Sequence, residues 1–274
     1  MQTNRSPLHF SVSDQPLTTL FHQDEALLTQ EKGGTVRSWQ LGNSGYEKGS
    51  IINNQHCGFC RMECVPEENI LISPKDTNKI VIYDLDNLET LHATLDPSDL
   101  PEAPTLGQIM CFKYINLSSN PYLLACYESG DFLTWDLRSS KVIDHKKYEE
   151  CPMAVDYDAS SNRGIYGGPS EMLGVFSYAK NSSQLMRTSE ISVKNPGINC
   201  VNIRRDQKVF STGGWDGRIR IFSWKSLRLL AVLTEHKAAV TDISYSNEKV
   251  SMWNASIMAT AGLDSQISLW DLYN

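Results

Sequence analysis

Residues 208–233, KVFSTGGWDGRIRIFSWKSLRLLAVL, decide how this chain folds. Two apolar runs, KVFST and RIRIFSW, flank the turn GGWDG, and a third, RLLAVL, follows a KSL turn. Alternating β-branched and aromatic residues bounded by turn formers predict consecutive hairpin strands. The glycines supply turn conformations that β-branched residues resist. RLLAVL is apolar on both alternating sets, as a strand covered on both faces requires.

Working outward, the same arrangement recurs along the chain. Six β-rich segments each end in an aromatic: GTVRSWQL at Trp39, NKIVIYDL at Tyr83, GDFLTWDL at Trp135, EMLGVFSY at Phe176, GRIRIFSW at Phe222 and SQISLWDL at Trp270. The intervals between these aromatics are 44, 52, 41, 46 and 48 residues. That period lies near the roughly 40–45 residues of a four-stranded propeller blade, with modest loop insertions. The expected fold is all-β: one propeller domain over 1–274, with six recognisable four-stranded blades.

Bulk composition narrows the function classes. Against 25 Lys and Arg stand 32 Asp and Glu, a net charge of −7, which argues against a dedicated nucleic-acid surface. Apolar residues at 41% and charged ones at 21% fit an ordinary globular chain rather than a disordered one. No run of 18 apolar residues is present, so a spanning helix and a membrane role are not expected. The start MQTNRSPLHF lacks an apolar h-region and a small-residue cleavage site, so secretion is not expected.

Seven cysteines, several inside apolar runs such as LLACY, read as reduced thiols packed as small hydrophobes. A reducing compartment, cytosol or nucleus, is the simplest reading and the one expected. One cluster, His56-Cys57-Gly-Phe-Cys60-Arg-Met-Glu-Cys64, offers a C-x₂-C pair that zinc could use. Cys60, Met62 and Cys64 alternate as in a strand, however, and no second C-x₂-C or H-x₃-H follows. Core thiols are the expected reading, with no metal and no cofactor.

At this point the residues carry a family resemblance. Trp135-Asp136 and Trp270-Asp271 resemble the dipeptide that names the WD40 repeats, and Glu235-His236 stands where that family has Gly-His, 34 residues before Trp270. The resemblance implies a buried polar network of His236, Thr260, Asp264 and Trp270. Tyr83, Phe176 and Phe222 depart from the pattern, and those blades are expected to hold by packing.

The stretch NPGINCVNIRRDQKVFSTGGWDGRIRIFSWKSLRLLAVLTEH, with the ending SQISLWDLYN, resembles a narrower family. It comprises guanine nucleotide-binding protein β-subunit-like protein 1 and the ASTRA-associated proteins. The likeness is close from about 108 to 274, and weaker but collinear from about 50 to 107. It implies seven blades where six are visible, so a missing first blade is expected. It also implies work with the co-chaperone complex that matures phosphatidylinositol-3-kinase-related kinases, and with ASTRA-type chromatin assemblies. Effects on DNA-damage signalling and residence in cytoplasm and nucleus are implied in turn.

Motifs for catalysis are missing from the sequence. It contains no G-x-G-x-x-G, G-x₄-G-K-[ST], G-x-S-x-G or H-E-x-x-H. Asp84, Asp136 and Asp271 each follow a strand aromatic, where turn capping explains them. A non-enzymatic scaffold is therefore expected, with an uncharacterised propeller enzyme as the rival from another class. A G-protein γ subunit is not an expected partner, because PLHFSVSDQPLTTLFHQDEALL has two prolines and no heptads for a coiled coil.

Four residues are the candidate partner contacts. Trp215 precedes the turn Asp216 and offers a flat aromatic anchor, with Arg218 beside it. Trp253 lies in the insertion SNEKVSMWNAS. Arg138 completes Trp135-Asp136-Leu137-Arg138, which fits the W-D-x-R signature of cullin–RING ubiquitin-ligase substrate receptors and supplies an alternative function. Two insertions, 96–108 and 181–197, read as exposed connections. Residues 8–12, alternating Leu8, Phe10 and Val12, are expected to close the ring beside 266–271.

Overall fold

Every aromatic-ended segment forms the third strand of its own antiparallel sheet. This arrangement is seen in a computed structural model that describes residues 11–43, 45–179 and 183–272. The first sheet is β1 (Leu17–Gln23), β2 (Ala26–Glu31), β3 (Thr35–Gly42) and β4 (Gly45–Asn53). The second is β5 (Glu63–Val65), β6 (Ile70–Lys75), β7 (Lys79–Asp84) and β8 (Leu91–Leu95). The third comprises β9 (Ile109–Leu117), β10 (Asn120–Tyr127), β11 (Asp131–Asp136) and β12 (Lys141–Lys147). β13 (Ala154–Asp158), β14 (Arg163–Gly167), β15 (Met172–Tyr178) and β16 (Leu185–Ser192) make the fourth. The fifth holds β17 (Ile198–Ile203), β18 (Val209–Gly214), β19 (Ile219–Ser223) and β20 (Leu229–Leu233). Among the described residues the sixth has three strands, β21 (Val240–Tyr245), β22 (Ile257–Gly262) and β23 (Ile267–Asp271). These are the blades of a WD40-type β-propeller, as the sequence period predicts.

Two compact units divide the chain. Met1–Ile109 holds the first two blades, and Met110–Asn274 holds the other four apart from the first residue of β9. Blades pack face to face within each unit. In the first, Leu28 and Val36 meet Leu71, Val81 and Tyr83. In the second, Ile115, Leu124 and Phe132 meet Tyr166, Phe176 and Tyr178, and the pattern continues blade to blade. Where the third strand is covered on both faces, as in β7, β11, β15 and β19, it reads as a near-continuous apolar run. By contrast, β23 and β20 are apolar yet lie largely exposed, against the sequence expectation for RLLAVL. β19 is buried at Ile219, Arg220, Ile221 and Phe222 alike.

Two insertions differ from the sequence expectation. Residues 185–192 are not a connection: Leu185–Ser192 is β16, the outer strand of blade four, paired along β15. Within 96–108, Pro97 is buried and Leu106 wholly so, which pins that loop down. Of the anticipated closing strand, Leu8, His9 and Phe10 lie outside the described residues. Ser11 and Val12 carry no strand, and the first strand opens at Leu17.

Candidate partner-binding face

In the sixth blade the structure brings His236, Thr260, Asp264 and Trp270 together. Trp270 Nε1 donates to Thr260 Oγ1 at 3.0 Å, and His236 Nε2 lies 2.9 Å from the same oxygen. His236 Nδ1 sits 3.1 and 3.2 Å from the two Asp264 oxygens. One proton order satisfies all of them: Trp270 donates to Thr260, Thr260 donates to Nε2, and Nδ1–H donates to Asp264. Asp264 also accepts the backbone N–H of Lys237 at 2.9 Å and of Gln266 at 3.1 Å. These N–H groups, Lys237 foremost, hold the Asp264 carboxyl below its ordinary value. The network ties the turn before β23 to the loop before β21.

Other blades solve the same problem with different atoms. In blade one, Trp39 Nε1 donates to Thr29 Oγ1 at 3.0 Å. Blade two departs from the packing-only expectation. Tyr83 Oη donates to Asn54 Oδ1 at 2.9 Å, and Asn54 Nδ2 donates to Ser73 Oγ at 2.9 Å. Blade three lacks the acceptor, because Ala125 stands where Thr29, Ser73 and Thr260 stand, and the buried Trp135 Nε1 has no partner among the described residues. Its turn is locked instead by buried Asp131, which accepts from Ser129 Oγ at 2.5 Å and Lys147 Nζ at 2.6 Å and lies 2.7 Å from His145 Nε2. Burial opposes ionisation of Asp131, but the bonds from Lys147, Ser129 and His145 outweigh it and lower its pKa.

Blade five presents the candidate anchor. Asp216 is bound by Arg220 through both terminal nitrogens, at 3.2 and 2.6 Å, by Asn195 Nδ2 at 2.7 Å, and by the Arg218 N–H at 3.1 Å. Arg220 is buried in this pair, so it is a structural residue. Trp215 is 46% exposed and held at three points. Its N–H donates to Gly197 O at 2.9 Å, and its Nε1 donates to Asn199 Oδ1 at 2.6 Å. Its ring lies against Gly197, where a Cβ would come within 2.3 Å of the indole. Gly197 has a φ of +91°, so this position requires glycine for conformation and for space. Leu263, one residue before the turn Asp264 of the next blade, repeats the backbone bond to Ala239 O and is 69% exposed. Arg218 points into solvent, 3.9 Å from Asp216.

The remaining candidates lie at the opposite end of the sheets. Arg138 Nη1 donates to Asn120 Oδ1 at 2.6 Å and Nη2 to Ser119 O at 2.7 Å. The W-D-x-R arginine is thus tied to the neighbouring turn of its own blade. Trp253 and Met252 are exposed in a small turn closed by a Val250–Ala255 bridge between β21 and β22. At this end the inner strands β13, β17 and β21 finish around a polar cavity of about 400 Å³, lined in part by Lys113, Asp156, Arg204 and Tyr245. Sequence reasoning missed it because its residues come from separate blades. Lys113 and Asp156 pair there at 3.2 Å, and Arg204 pairs at 2.7 Å with Asp206 just outside the lining.

Within the cysteine cluster Cys60 is buried and Cys57 exposed. Burial first, then the nearby Glu63, pushes the Cys64 thiol up to about 12, where it is a poor ligand and nucleophile. Among the described residues no group of three or more His, Cys, Asp or Glu is placed to hold a metal ion.

The blades, their turn aspartates and the Thr–Trp pairs define a WD40-repeat propeller protein. Residues 187–223 and 227–271 match the WD domain, G-beta repeat family. Across 249 residues, 90% of this chain and 70% of the relative, it is 31% identical to guanine nucleotide-binding protein subunit beta-like protein 1 of Mus musculus. With ASTRA-associated protein 1 of Schizosaccharomyces japonicus it shares 24% identity over 258 residues, 84% of this chain and 68% of that protein. The Schizosaccharomyces pombe protein of that name is 36% identical over 248 residues, 78% of this chain and 64% of the relative. The chain belongs to the family of guanine nucleotide-binding protein subunit beta-like protein 1. Its propeller fold and its ASTRA-associated relatives support a protein-interaction scaffold.

Proposed function

We propose that this chain is a non-enzymatic adaptor whose partner face is the Trp215 turn. On this reading it serves the co-chaperone complex that matures phosphatidylinositol-3-kinase-related kinases, and ASTRA-type chromatin assemblies. It thereby bears on DNA-damage signalling and works in cytoplasm and nucleus. The observation that carries the reading is the indole of Trp215, half in solvent yet fixed by Gly197 and Asn199. Rigid, partly exposed aromatics are the side chains that dominate protein interfaces. Kinship with proteins named ASTRA-associated supplies the choice of partners. A cullin–RING receptor would instead require Arg138 to leave both of its bonds.

Affinity capture with mass spectrometry tests this reading, comparing the full chain with Trp215→Ala. Co-chaperone subunits and kinases are expected with the parent chain. The variant should lose at least about 2 kcal/mol of binding, a more than tenfold drop in capture, with unchanged melting. Equal capture by the folded variant removes Trp215 from the interface, and recovery of a cullin adaptor replaces the co-chaperone assignment.

A further inference from the structure

Beside the Trp215 turn, between β16 of blade four and β19 and β20 of blade five, runs a groove of about 270 Å³. Its floor is Val193 and Phe222, both buried, and its walls are Ile191, Leu227, Leu229 and Val232. Leu229 and Val232 are 51% and 41% exposed, so the apolar walls open to solvent. The volume falls just under the roughly 300–1,000 Å³ of small-molecule clefts, and suits a few side chains of an extended segment.

The rim is basic. Lys194 and Arg218 line the same groove. Lys194 is exposed and makes no ion pair among the described residues. Arg218 has Asp216 only at 3.9 Å, and that carboxylate is already engaged by Arg220 and Asn195. On a chain of net charge −7, an unpaired Lys194 beside an Arg218 that shares the single Asp216 carboxylate with Arg220 leaves the lip of this apolar groove net positive, which selects an acidic occupant.

We propose that this groove binds an extended peptide segment of a protein partner, with apolar side chains in the groove and a flanking carboxylate on Lys194 and Arg218. This rests on the adaptor reading above and names the chemistry of one partner element.

The test selects phage-displayed random 12-residue peptides on the full chain, then measures the enriched peptides by fluorescence polarisation. Enriched sequences should place Asp or Glu within a few positions of Leu, Ile or Phe. The double variant Lys194→Glu with Arg218→Glu, and separately Leu229→Ser, should each raise Kd at least tenfold while melting as the parent does. Replacing the peptide's acids with Lys should restore binding to the double variant. Lys141→Glu, a charge reversal elsewhere on the surface, should leave Kd within twofold. Failure to enrich, enrichment of neutral or basic peptides, or equal binding by the groove variants overturns the proposal. The Trp215 reading is unaffected by any of those results, because it is decided by cellular capture.

Discussion

In the sixth blade the turn carboxylate of Asp264 is reached by a buried histidine, whose far nitrogen runs on through Thr260 to the indole of Trp270. In the fifth blade the corresponding Asp216 is reached by Asn195 and Arg220, and the relay stops there. Thr212 occupies the place of Thr260, but its hydroxyl is buried without a partner among the described residues, and Phe222 stands in place of the tryptophan. What blade five has instead is a stack: Phe210 and Phe222 face each other at 4.8 Å with planes 6° apart, and Trp224 meets Phe210 edge-on at 5.5 Å. One repeat is locked by directed hydrogen bonds and its neighbour by aromatic contact. The aspartate is common to both because its first duty is to its own turn, where it accepts a backbone N–H two residues on.

The sharpest break in this comparison is Phe210→Ala. It removes the centre of the stack in blade five and should cost about 3–5 kcal/mol, read from denaturant midpoints. Thr260→Val in blade six should cost about 1–3 kcal/mol, because it strands the nitrogens of His236 and Trp270. A Phe210→Ala loss smaller than the Thr260→Val loss would mean that hydrogen bonds, not the stack, carry both blades. Acid should act on both turns. Burial opposes ionisation of Asp216, but bonds from Arg220, Asn195 and the Arg218 N–H outweigh it, so its folded pKa lies below the ordinary 3.8. A depressed folded pKa contributes stability that is complete above the unfolded value and lost as pH falls through the folded one. Asp216→Asn should therefore lower the melting temperature at neutral pH and flatten its fall below about pH 4. The smallest effect belongs to Thr212→Val. Its hydroxyl has no partner among the described residues to lose, so stability should move by less than about 0.5 kcal/mol or rise. A loss matching that of Thr260→Val would show that Thr212 is bonded after all.

The third strands of blades two and four were legible because burial on both faces writes itself as unbroken apolar sequence, as in IVIY and LGVF. The blade-six network was legible because its four residues stand at the family's spacing. Blade two's replacement was not, although its signal is present: Asn54 and Ser73 are polar residues placed in buried positions. β16 was hidden for the opposite reason. Arg187 and Glu190 form an ion pair at its surface, and LMRTSEIS shows solvent on most of its length, so it reads as a loop. Arg138 was visible as a motif, but its bonds to Ser119 and Asn120 depend on which turn lies beside it. The groove could not be read at all. Residues 191–194 and 218–232 meet only when two blades pack, and no local pattern encodes that meeting.

The contact between Trp215 and Gly197 has a thermodynamic consequence for any association that uses it. An interface side chain that must be ordered on docking typically forfeits about 0.5–1.5 kcal/mol of rotamer entropy. This indole has already lost that freedom in the unbound protein, through its bond to Asn199 and the close glycine beneath it. The loss is met once, during folding, and is not repeated at each encounter. A methyl group at position 197 would press on the ring and set it loose, so a change that never touches the partner would still weaken the complex.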